Sequence, residues 1–151
     1  MDKGVYALLI ENSCCRVRIG ALGVREFAPG YHIYIGSAQG SGGLGRADRH
    51  VNLAFSRDRP PRWHIDHLLL NPHFRPVAVI TAVTGRDCEC DLAKAIGDPS
   101  VPGFGCSDCN CPSHLFHRPG DPVPEILAAF RRLDLDARIT RIKNAGDKHR
   151  V

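Results

Sequence analysis

The sequence predicts an α+β domain: a small, mainly antiparallel sheet flanked by helices, with an extra hairpin near the N-terminus. Three observations carry that prediction. Short runs at residues 4–11, 31–36 and 77–83 are apolar, β-branched or aromatic, have strand length and are bounded by turn formers. Apolar residues recur at helical spacing over 44–54 and 124–133. The elements follow one another as strands, helix, helix, strand, helix, loop, helix, which lacks the regular alternation of a doubly wound sheet.

Each element has its own justification. Residues 4–11 form an uninterrupted apolar run, as expected of a buried strand. Residues 16–19 and 24–27 alternate polar and apolar around Gly20-Ala21-Leu22-Gly23 and pair as a hairpin. Ala28-Pro29-Gly30 turns the chain into the strand at 31–36, and a Gly-rich loop follows at 37–43. Leu44, Ala47, Val51 and Ala54 then mark one face of a helix, ended by residues 57–61. A second short helix spans 63–70 and stops at Asn71-Pro72. The strand at 77–83 is bounded by Pro76 and by Thr84-Gly85, and 87–96 is helical. Residues 98–112 read as a Pro/Gly/Cys loop, long enough to suggest a functional or metal-held segment. A small strand at 114–116, an amphipathic helix at 124–133 and an edge strand at 136–142 complete the chain. Residues 1–118, including the Cys-rich loop 98–114, are expected to form the domain proper, with 119–151 an extension packed on it.

Composition narrows the function classes. The chain has 151 residues, enough for one domain, and 43% are apolar, enough for a real core. No run of 18 apolar residues is present, so no membrane span is expected. Met1-Asp2-Lys3-Gly4 leads straight into a strand without the pattern of a signal peptide, and the expectation is a cytoplasmic protein. A net charge of +4 and a pI near 8.8 are compatible with a nucleic-acid partner. Of seven cysteines, five cluster as Cys88/Cys90 and Cys106/Cys109/Cys111, which suits metal ligation better than a disulfide framework.

Arg46, Arg49 and His50 stand three and four residues apart just after the Gly-rich loop. Two guanidiniums and an imidazole there can hold a phosphate, helped by N–H groups at the helix start. The same residues also suit a solvated helix face, although Leu53 continues that face with an apolar side chain. Tyr6 and Tyr34 fit packing roles in their strands as well as functional ones, and Glu89 near a helix start fits a dipole-favoured surface position. Taken together and in order, Gly4-Val5-Tyr6, Tyr34-Ile35-Gly36-Ser37-Ala38, Arg46, Arg49-His50 and Glu89 resemble the GIY-YIG nuclease superfamily over residues 4–96. The Trp63-His64-Ile65-Asp66, Glu89-Cys90-Asp91-Leu92, Gly105-Cys106-Ser107-Asp108-Cys109 and Ser113-His114-Leu115-Phe116 segments extend the likeness to residue 117. They resemble an uncharacterised branch whose members occur alone or joined to endonuclease III-type repair enzymes.

The resemblance implies metal-dependent hydrolysis of DNA phosphodiester bonds, in repair or recombination, on structured or damaged DNA and beside repair-protein partners. Tyr6 and Tyr34 are its two candidate bases, with Tyr6 favoured. Arg46 would stabilise charge on the phosphoryl oxygens, and His50 would orient water or Tyr6, or shuttle a proton. Glu89 would hold a hydrated Mg2+ or Mn2+, while Ser37, Arg49 and His64 are candidate substrate contacts. His64 and His67, three apart on a helix, fit a hydrogen-bonded structural role equally well. Two departures stand out. Residues 16–30 insert a hairpin where the family has a short turn. The family's late asparagine has no assigned counterpart, Asn110 and Asn144 being the nearest candidates.

The cysteine cluster offers six candidate ligands, more than the four a structural zinc needs. The branch motif favours Cys90, Cys109, Cys111 and His114, with Cys88 and Cys106 to spare. A redox-sensitive thiol pair, or buried cysteines serving as small apolar residues, remain open alternatives. Beyond a nuclease, the sequence admits a binding module that keeps the fold without cleavage, and a zinc- or redox-linked interaction protein. Oligomeric state is left open, although an exposed edge strand at 136–142 could pair between chains.

Overall fold

A computed structural model describes residues 2–105 and 111–142. In chain order the elements are β1 (Gly4–Asn12), the hairpin strands β2 (Cys15–Arg18) and β3 (Val24–Phe27), β4 (Gly30–Ala38), α1 (Gly45–Ser56) and α2 (His64–Leu69). They continue with β5 (Phe74–Val83), α3 (Glu89–Ile96), β6 (Leu115–Arg118), α4 (Val123–Arg132) and β7 (Arg138–Arg141). This is an α+β architecture: a five-stranded antiparallel sheet in the order β6-β4-β1-β5-β7, with helices on both faces. β2 and β3 form a two-stranded sheet of their own, joined through a 3-10 turn at Gly20–Leu22.

The central strand explains the layering. β1 is buried over nearly all its length, and pleating sends alternate side chains to opposite faces. Val5, Ala7 and Leu9 share one core with Leu92, Ala93 and Ile96 of α3 and Val123, Ile126, Ala129 and Phe130 of α4. Tyr6, Leu8 and Ile10 share the other with Val17, Ile19 and Phe27 of the hairpin, Ala47, Val51 and Leu53 of α1, and Ile65 and Leu68 of α2. Covering both faces of a strand requires a continuous apolar run, which is what residues 4–10 supply. The extension beyond residue 118 thus contributes α4 to the first core and β7 to the sheet edge.

Three details differ from the sequence reading. β5 starts at Phe74, before Pro76, because the register with β1 shifts between Leu9 and Ile10 and Pro76 lies opposite Ile10 at that irregularity. A proline lacks the N–H a regular ladder needs, and a bulge removes the need. β6 lies at Leu115–Arg118 rather than 114–116, paired outside β4. The third difference concerns α1. His50 and Leu53 are buried along with Ala47, Val51 and Ala54, so the face expected to be solvated is partly covered. α1 ends at Arg57, whose left-handed φ of 47° turns the chain out of the helix. Among the described residues no helix is long and apolar enough to cross a membrane.

Candidate active site

Tyr6 of β1 lies opposite Gly36 of β4 in the antiparallel register. The phenol ring crosses directly over that glycine, and a Cβ there would collide with the ring carbons and the hydroxyl. A glycine is therefore required, on steric grounds alone, where the tyrosine strand meets its neighbour. Tyr34 stands two residues before Gly36, on the same face of β4 by the pleat, with its ring centroid 6.4 Å from that of Tyr6.

α1 brings the basic side chains onto this face. His50 Nε2 is 2.8 Å from the Tyr6 hydroxyl, within a buried hydrogen bond, and the His50 ring meets Tyr34 edge-on at 6.0 Å. One turn earlier, half-buried Arg46 donates from Nη1 to the Ser37 carbonyl at 3.5 Å. Arg49, on the same helix, is exposed beside the Gly-rich loop, with Nη2 close to Gly42. Tyr6 is 1% exposed and His50 2%.

Burial dominates the electrostatics. It pushes the Tyr6 phenol well above its usual range; Tyr34 adds to this, Arg46 opposes it, Glu89 raises it and Arg49 lowers it. Burial likewise lowers His50 to about 4, against the opposing charge of Asp66 and with help from Arg46, Arg49 and Arg59. His50 is consequently a neutral imidazole near pH 7. The charge of Glu89, on the first residue of α3, reaches the Tyr6 phenol, which ties the third helix to the Tyr6–His50 pair.

Glu89 also faces the cysteine segment. Its Oε2 is 3.5 Å from His114 Nδ1. On the opposite side of that ring, His114 Nε2 is 2.7 Å from Cys111 Sγ and 3.9 Å from Cys90 Sγ. One donor atom each from Cys90, Cys111 and His114 lie within 4.8 Å of one another, a group that can hold a metal ion. Three of the four expected ligands are thus gathered, while Cys109, with Cys106, lies outside the described residues. Cys88 is no ligand: it is buried in the apolar core with Leu92 and Ile96. The Cys90 and Cys111 sulfurs also stand at disulfide contact, so the same atoms support two readings.

Over residues 5–135 the chain matches the family described as "Domain of unknown function DUF123". The chain belongs to that family. No curated protein and no solved structure matches it. The match runs on through α4, which packs in one core with α3.

The remaining candidates of this DUF123 domain have different settings. His64 turns to the cysteine segment: its Nδ1 accepts the Gly105 N–H at 2.8 Å, and its ring packs on Phe104. Ser37 contributes its carbonyl to Arg46. Asn110 and Asn144 lie outside the described residues. Two residues given no role from sequence stand at the site. Trp63 carries the Arg46 guanidinium over its ring at 5.1 Å and meets His50 edge-on at 6.3 Å. Asp66 is fully buried, its Oδ2 accepts the Arg62 and Trp63 N–H groups, and its charge acts on His50. The one signal for both was their shared segment, Trp63-His64-Ile65-Asp66, in which the sole tryptophan follows Arg62.

Proposed function

We propose that this DUF123 domain is a metal-dependent endonuclease of GIY-YIG type, hydrolysing phosphodiester bonds in structured or damaged DNA during repair or recombination. The observation that carries the reading is the 2.8 Å Tyr6–His50 pair within reach of the charges of Arg46, Arg49 and Glu89. These residues come from β1, α1 and α3, so neither chain proximity nor a single amphipathic face accounts for their meeting.

The chemistry follows from protonation states. Tyr6, raised by burial, stores no phenolate at rest. With its proton on Nδ1, neutral His50 accepts the Tyr6 O–H at Nε2, so in that tautomer Tyr6 can take a proton from the attacking water as it passes its own to His50. The charge then gained by His50 is balanced by the substrate phosphate. As water adds to phosphorus and the P–O bond to the leaving strand breaks, Arg46 stabilises charge on the non-bridging oxygens. Arg49, more exposed, fits a contact to the neighbouring phosphate. Glu89 offers a hard oxygen donor that suits a largely hydrated Mg2+ or Mn2+. Such a cation, when bound, neutralises charge on the leaving oxygen.

The donors of Cys90, Cys111 and His114 are of a different kind. Sulfur and imidazole suit zinc rather than magnesium or manganese, and Cys109 is the fourth donor in this reading. His114 then serves both sides, a ligand through Nε2 and a neighbour of Glu89 through Nδ1, an arrangement common around zinc-bound histidines. Thiolate ligands of this kind persist in a reducing compartment, in keeping with a cytoplasmic protein.

The test is a cleavage panel of supercoiled plasmid, single strands, flaps and four-way junctions with Mg2+ or Mn2+, using wild type, Arg46→Ala and Glu89→Ala. The reading expects wild type to cut at least one substrate and both variants to lose about a hundredfold or more in rate. Binding without cutting by all three proteins would leave a nucleic-acid-binding module instead.

A further inference from the structure

Trp63 has no part in the chemistry above, yet its setting is unusual for a tryptophan. It is the single tryptophan of the chain and is 41% exposed, although indole is among the side chains that gain most from burial. The backbone that carries the ring is nonetheless held in place. Asp66 Oδ2 accepts the Trp63 backbone N–H at 3.2 Å and the Arg62 N–H at 2.9 Å, and the Trp63 carbonyl accepts the Asp66 N–H at 3.0 Å. His50 meets the ring edge-on at 6.3 Å, and the guanidiniums of Arg46 and Arg62 stand 5.1 and 5.9 Å from its centroid. An exposed aromatic plane on an anchored backbone, set among cations, is the composition of a surface on which nucleobases stack. Its position is specific too, since His50 and Arg46 belong to the proposed reaction centre.

We propose that Trp63 stacks on an unpaired nucleobase of the nucleotide next to the cleaved phosphodiester, selecting strands whose base is free to leave the helix stack. The inference rests on the nuclease reading for the location of the phosphate at Arg46; the stacking itself does not depend on cleavage. Arg46, which already lies over the indole, ties the two functions: it can hold the phosphate while its neighbour holds the base. Arg62 is exposed, and the incoming base exchanges with it on the ring. Inside an intact duplex every base is already stacked and paired, so the platform finds no base there. Single strands, flap junctions and unpaired or damaged positions supply one.

A sole tryptophan makes the test direct. Trp63 fluorescence is followed in the full-length protein, without added Mg2+ or Mn2+ so that no strand is cut, while a short single-stranded DNA, the same strand carrying one abasic position at successive sites, and the matching blunt duplex are titrated in. The expected result is quenching by the single strand, weakened when one particular base is missing, with little quenching by the duplex. In a separate binding assay, Trp63→Ala should weaken single-strand affinity about tenfold, Trp63→Phe should restore part of it, and duplex affinity should stay within twofold. Because the ring is exposed, both variants should melt with wild type, which separates lost stacking from lost folding. Equal single-strand affinity of wild type and Trp63→Ala, or quenching indifferent to every missing base, would overturn the proposal. Should Arg46→Ala and Glu89→Ala cut like wild type, the nuclease reading fails, while the stacking measurement, made without Mg2+ or Mn2+, still stands on its own.

Discussion

Tyr6 and His50 come from the middle of a strand and the middle of a helix, whereas Cys111 and His114 come from a stretch that precedes β6 and belongs to no helix or strand. The first pair is held by what surrounds it. β1 is paired on both sides, Gly36 leaves room for the phenol, and both cores close over the strand. The second group is buried too, but outside any helix or strand, and is anchored by point contacts: the Gly105 N–H on His64, His114 N–H on the Phe104 carbonyl, and the converging sulfur and nitrogen donors. One region takes its precision from regular structure. The other takes it from loop hydrogen bonds and from donors that can hold a metal ion, and Glu89, beside both, is where they join.

That contrast can be broken by substitution, and the largest effect should come where the two regions meet. Glu89→Gln should cost cleavage about a hundredfold or more while leaving bound zinc in place. His114→Gln should lose zinc and cost a smaller, roughly tenfold factor in rate. Equal losses in the two variants would remove the distinction between reaction centre and anchor. Next in size, Cys111→Ser should release about one zinc per chain and lower the melting temperature by roughly 10 °C, as chelation should in wild type. Cys14→Ser, at an exposed free cysteine, should change neither. Elemental analysis alongside thermal melts under reducing conditions reads both, and a protein free of zinc but holding a stable disulfide would favour the redox alternative.

Gly36→Ala probes the packed region instead. Its added methyl must displace the Tyr6 ring, with an expected loss of about 1–3 kcal/mol in a denaturant titration and no change in zinc content. The smallest effect concerns acid. His50 and His32 are both lowered to about 4 by burial, below the value each has in the unfolded chain. The unfolded state therefore binds more protons between about pH 6.5 and pH 4. The stability from keeping these rings neutral is present above pH 6.5 and is lost as pH falls through that window. His50→Gln, which can still accept from Tyr6, should flatten the slope by on the order of 1–2 kcal/mol between pH 7 and pH 5. An unchanged slope would mean that His50 already titrates normally.

Legibility in the sequence follows the same division. β1, β4, the hairpin and α1 were readable because each carries a local signal of its own, an apolar or aromatic run, an alternation or a helical stripe, and the order of tyrosine, glycine, arginine and histidine could be followed along them. What periodicity could not supply was the second covering layer on α1. With α2 packed on it and Trp63 against the His50 ring, His50 is an enclosed partner of Tyr6 rather than part of a solvated face. Trp63 was missed for the converse reason, since an aromatic residue at a helix start reads as core and only its exposure reveals it. The resemblance to the branch motif pointed to Cys90, Cys109, Cys111 and His114, but not to the contact between His114 and Glu89 across 25 residues, which depends on how an aperiodic segment folds back on α3.

The most direct test of the central claim is a single-turnover assay on a flap substrate, comparing wild type with Tyr6→Phe and Arg46→Ala in Mn2+ and in EDTA. The account predicts cleavage by wild type in Mn2+ only, with both variants slowed about a hundredfold or more yet melting within a few degrees of wild type. Cleavage that persists in either variant, or in EDTA, would contradict it.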